Sequence, residues 1–409
     1  VTRLALLFAI GLLPGVADAA EFVPHRGLSL ETWQDWPAEE RWDERDVMLP
    51  YPQWQGHLGP ADFKALKDAG LDFLRIPIDP APLLSDRARA LHGDLVDSVV
   101  AAVDTVNAAG LKALVDLHSI PSDSRTVNAR NILEDDARFA AYAELVAEIA
   151  DRLSGEDPSK VAIELMNEPV TGCEGKDADG WQQQALALHA AARAAAPKLT
   201  LVLSGACWGS AEGLAALDPA TFADANLIWS FHSYDPFLLT HQGAGWAGDF
   251  IPYVTGLPYP LYSVPRAELD AAVERIRDRI RAQAPLTRRP GMLAYLDEQV
   301  AALDTSEELQ VAMTAPFDRV AAWAERNGIA PADILLGEFG MIRQAWEGDY
   351  TVPAAERAAY YRDMIALAEN HGFAWSMWSY GSDFGIVEAF GGEPAEGLVM
   401  DAIRALPHP

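Results

Sequence analysis

Short apolar runs alternate with amphipathic stretches over most of this chain, and from Gly59 onward the alternation is regular. The runs Leu71–Ile78 (LDFLRIPI), Leu111–His118 (LKALVDLH), Val161–Met166 (VAIELM), Leu199–Ser204, Leu227–Phe231, Ile334–Leu336 and Phe373–Trp378 have the near-continuous apolar character of strands buried on both faces. A shorter strand-like segment, His25–Leu30 (HRGLSL), precedes them. Between the runs, Pro60–Ala69, Leu95–Ala109, Phe139–Leu153, Trp181–Ala196, Ala267–Ala284 and Ala354–Asn370 carry helical spacing. Pro60 stands at a helix start, Gly70 and Gly110 follow helix ends, and Pro197 closes another. Eight strands, mostly alternating with helices, predict an α/β fold with a parallel sheet, either a closed eightfold barrel or an open doubly wound sheet. The strand count favours the barrel. No GxGxxG or GxxxxGK[ST] loop supports the open sheet or a nucleotide partner. With no internal repeat beyond the alternation and no Pro/Ser/Thr linker, the chain reads as one domain.

Composition narrows the partners. At 409 residues and 50 % hydrophobic content there is ample material for a sizeable core. The net charge of −29 repels nucleic acid, phosphates and anionic membranes and suits a neutral substrate. Residues 1–20 carry Arg3, the apolar run Leu4–Leu13 and the small residues Ala17, Ala19 and Ala20, the pattern of a secretory signal. The expected mature protein, 21–409, is a secreted or periplasmic monomer without a membrane span; an uncleaved anchor is the alternative. Cys173 and Cys207 follow neighbouring strands, which predicts a single disulfide.

Chemistry concentrates where strands end. Val161–Met166 stops at Asn167-Glu168-Pro169; proline cannot continue a ladder, so Glu168 is expected where the backbone leaves the core. Barrels gather such residues at one mouth. Reading the other ends gives Arg75 in LRIP, His118 closing VDLH, His232 and Tyr234 in FHSY, Glu338 in LLGEFG and Trp378 in SMWSY. Glu168 and Glu338, on the fourth and seventh strands, can face each other across a cleft. Two opposed carboxyl groups are what cleavage of a glycosidic bond requires, one protonated to donate to the leaving oxygen and one ionised. Arg75 near Glu338 would keep it ionised, whereas apolar surface and a second negative charge would hold the proton on Glu168. His118 and Asn167 are placed to bond sugar hydroxyls, His232 and Tyr234 to orient the carboxylates, and Trp378 to floor the site. A metal held by His118, His232, Glu168 and Glu338 is the minority reading, because no HxH or HExxH spacing accompanies them. A serine hydrolase is weaker still, since Ser204-Gly205 lacks a GxSxG frame.

Three connections stand out. The stretch Glu31–Gly59 holds Trp33, Trp36, Trp42 and Trp54, which either pack over the barrel or line a sugar cleft. Asp235–Pro265, rich in Gly, Pro and Tyr, and Pro285–Ser306, between a pair of helices, read as insertions and as candidate substrate walls.

Taken in order, Arg75, His118, Asn167-Glu168-Pro169, His232-Ser233-Tyr234, Glu338-Phe339-Gly340 and Trp378 resemble the pattern of glycoside hydrolase family 5, the cellulase family, over the whole mature chain. The resemblance implies a TIM (β/α)8 barrel with long loops at its C-terminal face, a retaining mechanism, Glu168 as acid/base and Glu338 as nucleophile. It implies no cofactor, and a polysaccharide substrate of which β-1,4-glucan is the commonest in the family. β-Mannan, β-1,3-glucan and bacterial exopolysaccharide are the alternatives, and a barrel that binds glycan without cleaving it is the alternative of another class. The three connections match no particular subfamily, and the absence of a carbohydrate-binding module tilts the expectation toward soluble or periplasmic glycans.

Overall fold

Eight parallel strands close into a barrel in sequence order in the computed structural model, which describes residues 21–31, 36–49, 58–120 and 126–407. They are β1 (Arg26–Ser29), β2 (Phe73–Ile78), β3 (Lys112–Leu117), β4 (Val161–Glu164), β5 (Thr200–Ser204), β6 (Leu227–His232), β7 (Ile334–Phe339) and β8 (Ala374–Met377), with β8 returning to pair with β1. The closed sheet, rather than the open one, is therefore the architecture. The signal-like segment 1–20 and the residues Trp33 and Trp54 lie outside the described residues. Among the described residues no helix is long and apolar enough to cross a membrane.

The period-two alternation of a strand stacks the barrel interior in layers. The floor is apolar: Phe73, Leu114, Ala162, Val202, Ile228, Leu335 and Ala374 form one cluster with Phe22, which meets Phe73 edge-on at 6.3 Å. Gly27 belongs to this layer because any Cβ there would lie 2.3 Å from the Phe73 ring. Two residues further along the strands the character inverts, to Arg75, Asp116, Glu164, Ser204, Ser230 and Ser376, all buried. Asp116 and Glu164 are paired directly across β3 and β4, a like-charge juxtaposition that a cation between them relieves. Arg75 supplies it. The next layer is the mouth. A second, much larger apolar core, including Val99, Val103, Val146, Ile149, Leu188, Val320 and Met364, lies between the outer face of the sheet and the helices.

Several boundaries differ from the sequence expectation, each for a physical reason. β7 runs on to Phe339 instead of stopping at Leu336, and it carries Gly337 because a Cβ there would meet the Ser230 hydroxyl at 2.3 Å and His232 Nε2 at 3.0 Å. β4 ends at Glu164, before Pro169; the chain turns instead at Glu168, whose φ of +33° no ladder accommodates. The helix expected at Trp181 begins at Gly175, its first two turns (GKDADG) being too polar to show a stripe. Pro285–Ser306 is not an open insertion: it contains the helix Arg289–Ala301, tied to the helix Arg266–Gln283 by Arg277 and Asp297 at 2.7 Å. The long helix Ser306–Asn327 follows, capped by Thr305 and stopped by Gly328. Of the described tryptophans in the early connection, Trp42 is fully buried with its Nε1–H on the Pro37 carbonyl at 2.8 Å, while Trp36 is half-buried and donates to Asp79 O at 2.9 Å.

Candidate active site

Arg75 organises one half of the mouth from below. Its guanidinium donates to Glu164 at 2.8 Å, to Asn167 Oδ1 at 2.8 Å and to Glu338 Oε1 at 2.5 Å, and lies 2.9 Å from Asp116. Five donors in a rigid fork make arginine the side chain able to serve four acceptors at once. Burial works against its charge, yet the carboxylates of Asp116, Glu164 and Glu338 raise it well above the ordinary arginine value. Burial likewise pushes the Glu164 carboxyl up against the pull of Arg75. Glu164 also accepts from the Ser204 hydroxyl at 2.9 Å. Sequence reasoning fixed on strand ends and missed Asp116 and Glu164. Their signal was available: a lone carboxylate inside an apolar run, at even spacing from His118 and Glu168, has to be paired.

Glu338 is buried and held twice, by Arg75 and by the Tyr234 hydroxyl, which donates to Oε2 at 2.8 Å. A register shift between Phe231 and His232 sets His232 beside Glu338 across β6 and β7, the re-aiming that a bulge provides. Burial alone would raise the Glu338 carboxyl, but the positive charge of His232 and Arg75 and the Tyr234 hydroxyl bring it down to about 2. Burial and the Glu338 charge together raise the Tyr234 phenol well above its ordinary value, so it donates as a neutral hydroxyl.

Glu168 is only partly covered, its side chain 18 % exposed, and its Oε1 lies 2.9 Å from His232 Nδ1. The same ring nitrogen is 3.7 Å from Glu338 Oε2. Burial opposes a charge on His232, yet the two carboxylates raise its pKa above the ordinary histidine value. The neighbour of Glu168 is thus an imidazole, where apolar surface had been expected. One carboxylate oxygen each from Glu168 and Glu338 and a nitrogen of His232 fall within 4.8 Å of one another.

His118 and Asn167 face each other at 3.2 Å, with His118 Nδ1 on Asp116 at 2.6 Å and Asn167 Oδ1 on Arg75. The His118 ring stacks on Trp378 at 5.3 Å and 16°, and both belong to the mouth. Seven of the eight residues named from the sequence therefore come together at the C-terminal ends of the strands, and Arg75 meets them from the layer below. From Tyr234 further rings continue outward: Phe384 at 5.8 Å, His241 at 5.1 Å, and then Trp246, 5.3 Å from His241 and 61 % exposed, with its Nε1–H on Asp383 at 3.0 Å. Burial holds His241 down to about 3, so it serves here as a neutral ring. Cys173 and Cys207 are joined in a disulfide between the segments that follow β4 and β5.

The family model described as Cellulase (glycosyl hydrolase family 5) matches residues 48–384. The chain belongs to this family. It is 24 % identical over 355 residues to Endoglucanase 3 of Fibrobacter succinogenes, an alignment covering 83 % of this chain and 48 % of that protein. The chain spans about half the length of the curated relatives it matches. Among solved structures it superimposes on the Clostridial cellulose synthase subunit Z from Clostridioides difficile with a TM-score of 0.63 and 20 % identity, covering 93 % of this chain and 99 % of that one. A hyperthermophilic endo-β-1,4-glucanase in complex with substrate gives 0.61 and 20 %, covering 93 % and 96 %. At these identities the structural likeness speaks for the family-5 fold, and the chemistry of this chain has to be argued from its own site.

Proposed function

We propose that this family-5 glycoside hydrolase cleaves a β-glycan with retention of anomeric configuration, with Glu338 as nucleophile and Glu168 as acid/base. The observation that carries the reading is the pair of carboxylates with oxygens within 4.8 Å. Retaining enzymes hold their two carboxyl groups about 5–5.5 Å apart, whereas inverting ones leave about 6.5–9.5 Å for a water. Glu338, ionised and fixed by Arg75 and Tyr234, attacks the anomeric carbon while Glu168 gives its proton to the departing sugar oxygen. Glu168 then takes a proton from the water that releases the glycosyl group, so both carboxyls return to their starting states. His232 lies between the two and supports the ionised form of each in turn. In this reading His118, Asn167 and Trp378 form the wall against which the sugar bonded to Glu338 rests.

The oxygen and nitrogen atoms within 4.8 Å could also surround a cation, but Glu168 Oε1 and His232 Nδ1 are already bonded to each other at 2.9 Å, and Arg75 places a fixed positive charge 2.5 Å from Glu338. That arrangement favours a carboxylate acting directly on carbon. The endoglucanases among the similar proteins favour a β-1,4-glucan, with β-mannan, β-1,3-glucan or an exopolysaccharide as substrates of the same chemistry. The disulfide fits an oxidising compartment and hence secretion or a periplasmic location. Incubation with a panel of soluble β-glucans and β-mannans, with the anomer of the first product followed by NMR, tests the reading: it expects the β-anomer to appear first. Initial release of the α-anomer rules out retention, and binding without cleavage anywhere in the panel makes the protein a glycan binder.

A further inference from the structure

Most hydroxyl groups inside the barrel are bonded to a neighbour, and the one beneath the acid/base is not. In the polar layer the Ser204 hydroxyl donates to Glu164 at 2.9 Å, and those of Ser29 and Ser376 share a bond at 3.3 Å. Ser230, opposite Ser204 in the β5–β6 register, is fully buried, and its Oγ has no hydrogen-bond partner among the described residues. The same holds for Nε2 of the buried His232, two residues further along β6. Both atoms border one place. The β6–β7 register passes from Leu336 opposite Phe231 to Glu338 opposite His232 and leaves Gly337 as the bulge residue. A Cβ on Gly337 would lie 2.3 Å from Ser230 Oγ and 3.0 Å from His232 Nε2, so only glycine leaves both atoms room for a further partner.

The other ring nitrogen, Nδ1, faces Glu168 Oε1 at 2.9 Å. Burial opposes a charge on this ring, Glu338 and Glu168 favour it, and Arg75 opposes it; Glu164 is the remaining charged group that acts on it. A charged imidazole carries a proton on both nitrogens, so its buried Nε2–H needs an acceptor, and leaving that donor unpaired weakens the charged form. We infer that Ser230 is a positioning residue: across one water lodged beside Gly337, its hydroxyl accepts the Nε2–H bond of a charged His232 and so keeps a cation beside Glu168 while that carboxylate, ionised, draws the proton from the attacking water. The inference rests on the proposed glycosidase reading. A single water with two or more polar partners is the ordinary way in which such buried atoms are satisfied. The step itself is the one already described: the water oxygen bonds to the anomeric carbon, the bond to Glu338 breaks with its electron pair staying on that carboxylate, and the proton goes to Glu168.

The test uses the 2,4-dinitrophenyl disaccharide of whichever glycan the wild type cleaves in the panel. Dinitrophenolate departs without an acid, so kcat/KM reports attack by Glu338 and kcat reports release by water. In Ser230→Ala the acid side of the kcat profile against pH should move up by about one unit, the order of one hydrogen bond to a charged group. At a fixed pH on that side, kcat and KM should fall together by about ten-fold, leaving kcat/KM unchanged, and the glycosyl-enzyme should accumulate to a level that intact-mass spectrometry reads. The 15N resonances of the His232 ring, assigned through His232→Gln, should move toward those of neutral imidazole over the same pH range. Ser376→Ala, in the same layer but bonded to Ser29, should do none of this. A crystal structure should place one water between Ser230 Oγ and His232 Nε2; a direct bond, or no water there, overturns the bridge. Unmoved ring resonances, an unmoved acid limb, equal losses of kcat and kcat/KM, or the same shift in Ser376→Ala overturn the role of Ser230 and leave the glycosidase reading intact. A wild type that cleaves nothing in the panel overturns both.

Discussion

Glu338 and Glu168 meet across the same mouth, yet the chain holds them differently. Glu338 lies within a strand, buried, with Arg75 and Tyr234 bonded to its two oxygens. Glu168 lies beyond the end of its strand, on a left-handed backbone, partly exposed, with an imidazole as its polar partner. A group that attacks carbon gains from being fixed and ionised, whereas a group that gives and retakes a proton needs water on one side and a neighbour tolerant of both states. The difference in anchoring, more than the shared residue type, is what separates the two proposed roles.

Removing each carboxylate in turn is the strongest way to probe that contrast. Glu338→Gln should reduce hydrolysis by about 1,000-fold or more on every substrate, since no nucleophile remains. Glu168→Ala should cost about 100- to 10,000-fold on a glycan but much less in the first step on a dinitrophenyl glycoside, which needs no acid. Added azide should then restore turnover by yielding the β-glycosyl azide, measured by chromatography. The same rescue in the Glu338 variant would invert the assignment.

Arg75→Met probes the support beneath the pair. It strands Asp116, Glu164 and Glu338 in a buried layer, and unfolding in denaturant should show a loss of about 3–5 kcal/mol. A near-neutral result would mean that the three carboxyls neutralise one another by sharing protons.

Smaller effects follow from protonation. The folded-state pKa of Glu338 is lowered from an ordinary 4.5 to about 2, so its stabilising contribution is present above the ordinary value and is lost as the pH falls toward about 2. His232 has the opposite sign: its pKa is raised above an ordinary 6.5, so its contribution is complete below that value and is lost as the pH rises through the raised one. The stability difference between wild type and Glu338→Gln, followed by thermal unfolding, should shrink below pH 4.5; a constant difference would mean that Glu338 titrates normally. Tyr234→Phe removes one of the two anchors and should lower kcat by about ten-fold, the order expected for a hydrogen bond to a charged group, with little change in stability.

How far all this was legible in the sequence depends on the kind of signal. Strands buried on both faces announce themselves as apolar runs, so the barrel and the residues at its mouth could be placed in order. The mouth residues were readable because each follows such a run. Asp116 and Glu164 were legible only as carboxylates in need of a partner, because that partner, Arg75, lies on another strand and its place between them is a matter of three dimensions. Glu338 was named, but the strand that carries it appeared to stop at Leu336, before Gly337; that glycine is a close-approach position against His232, visible only in three dimensions. The helices Gly175–Ala195 and Arg289–Ala301 were truncated or missed because tertiary packing sustains turns whose own sequences carry little stripe.

The central claim, that Glu338 becomes bonded to the sugar, is tested most directly by trapping. Incubation with the 2-deoxy-2-fluoro dinitrophenyl glycoside of the cleaved sugar slows release of the glycosyl group, and intact-mass and peptide mass spectrometry then locate the adduct. One fluoroglycosyl group on the peptide containing Glu338, absent in Glu338→Gln, is the predicted result. An adduct on Glu168, or none in a preparation that still hydrolyses the parent glycoside, would contradict it.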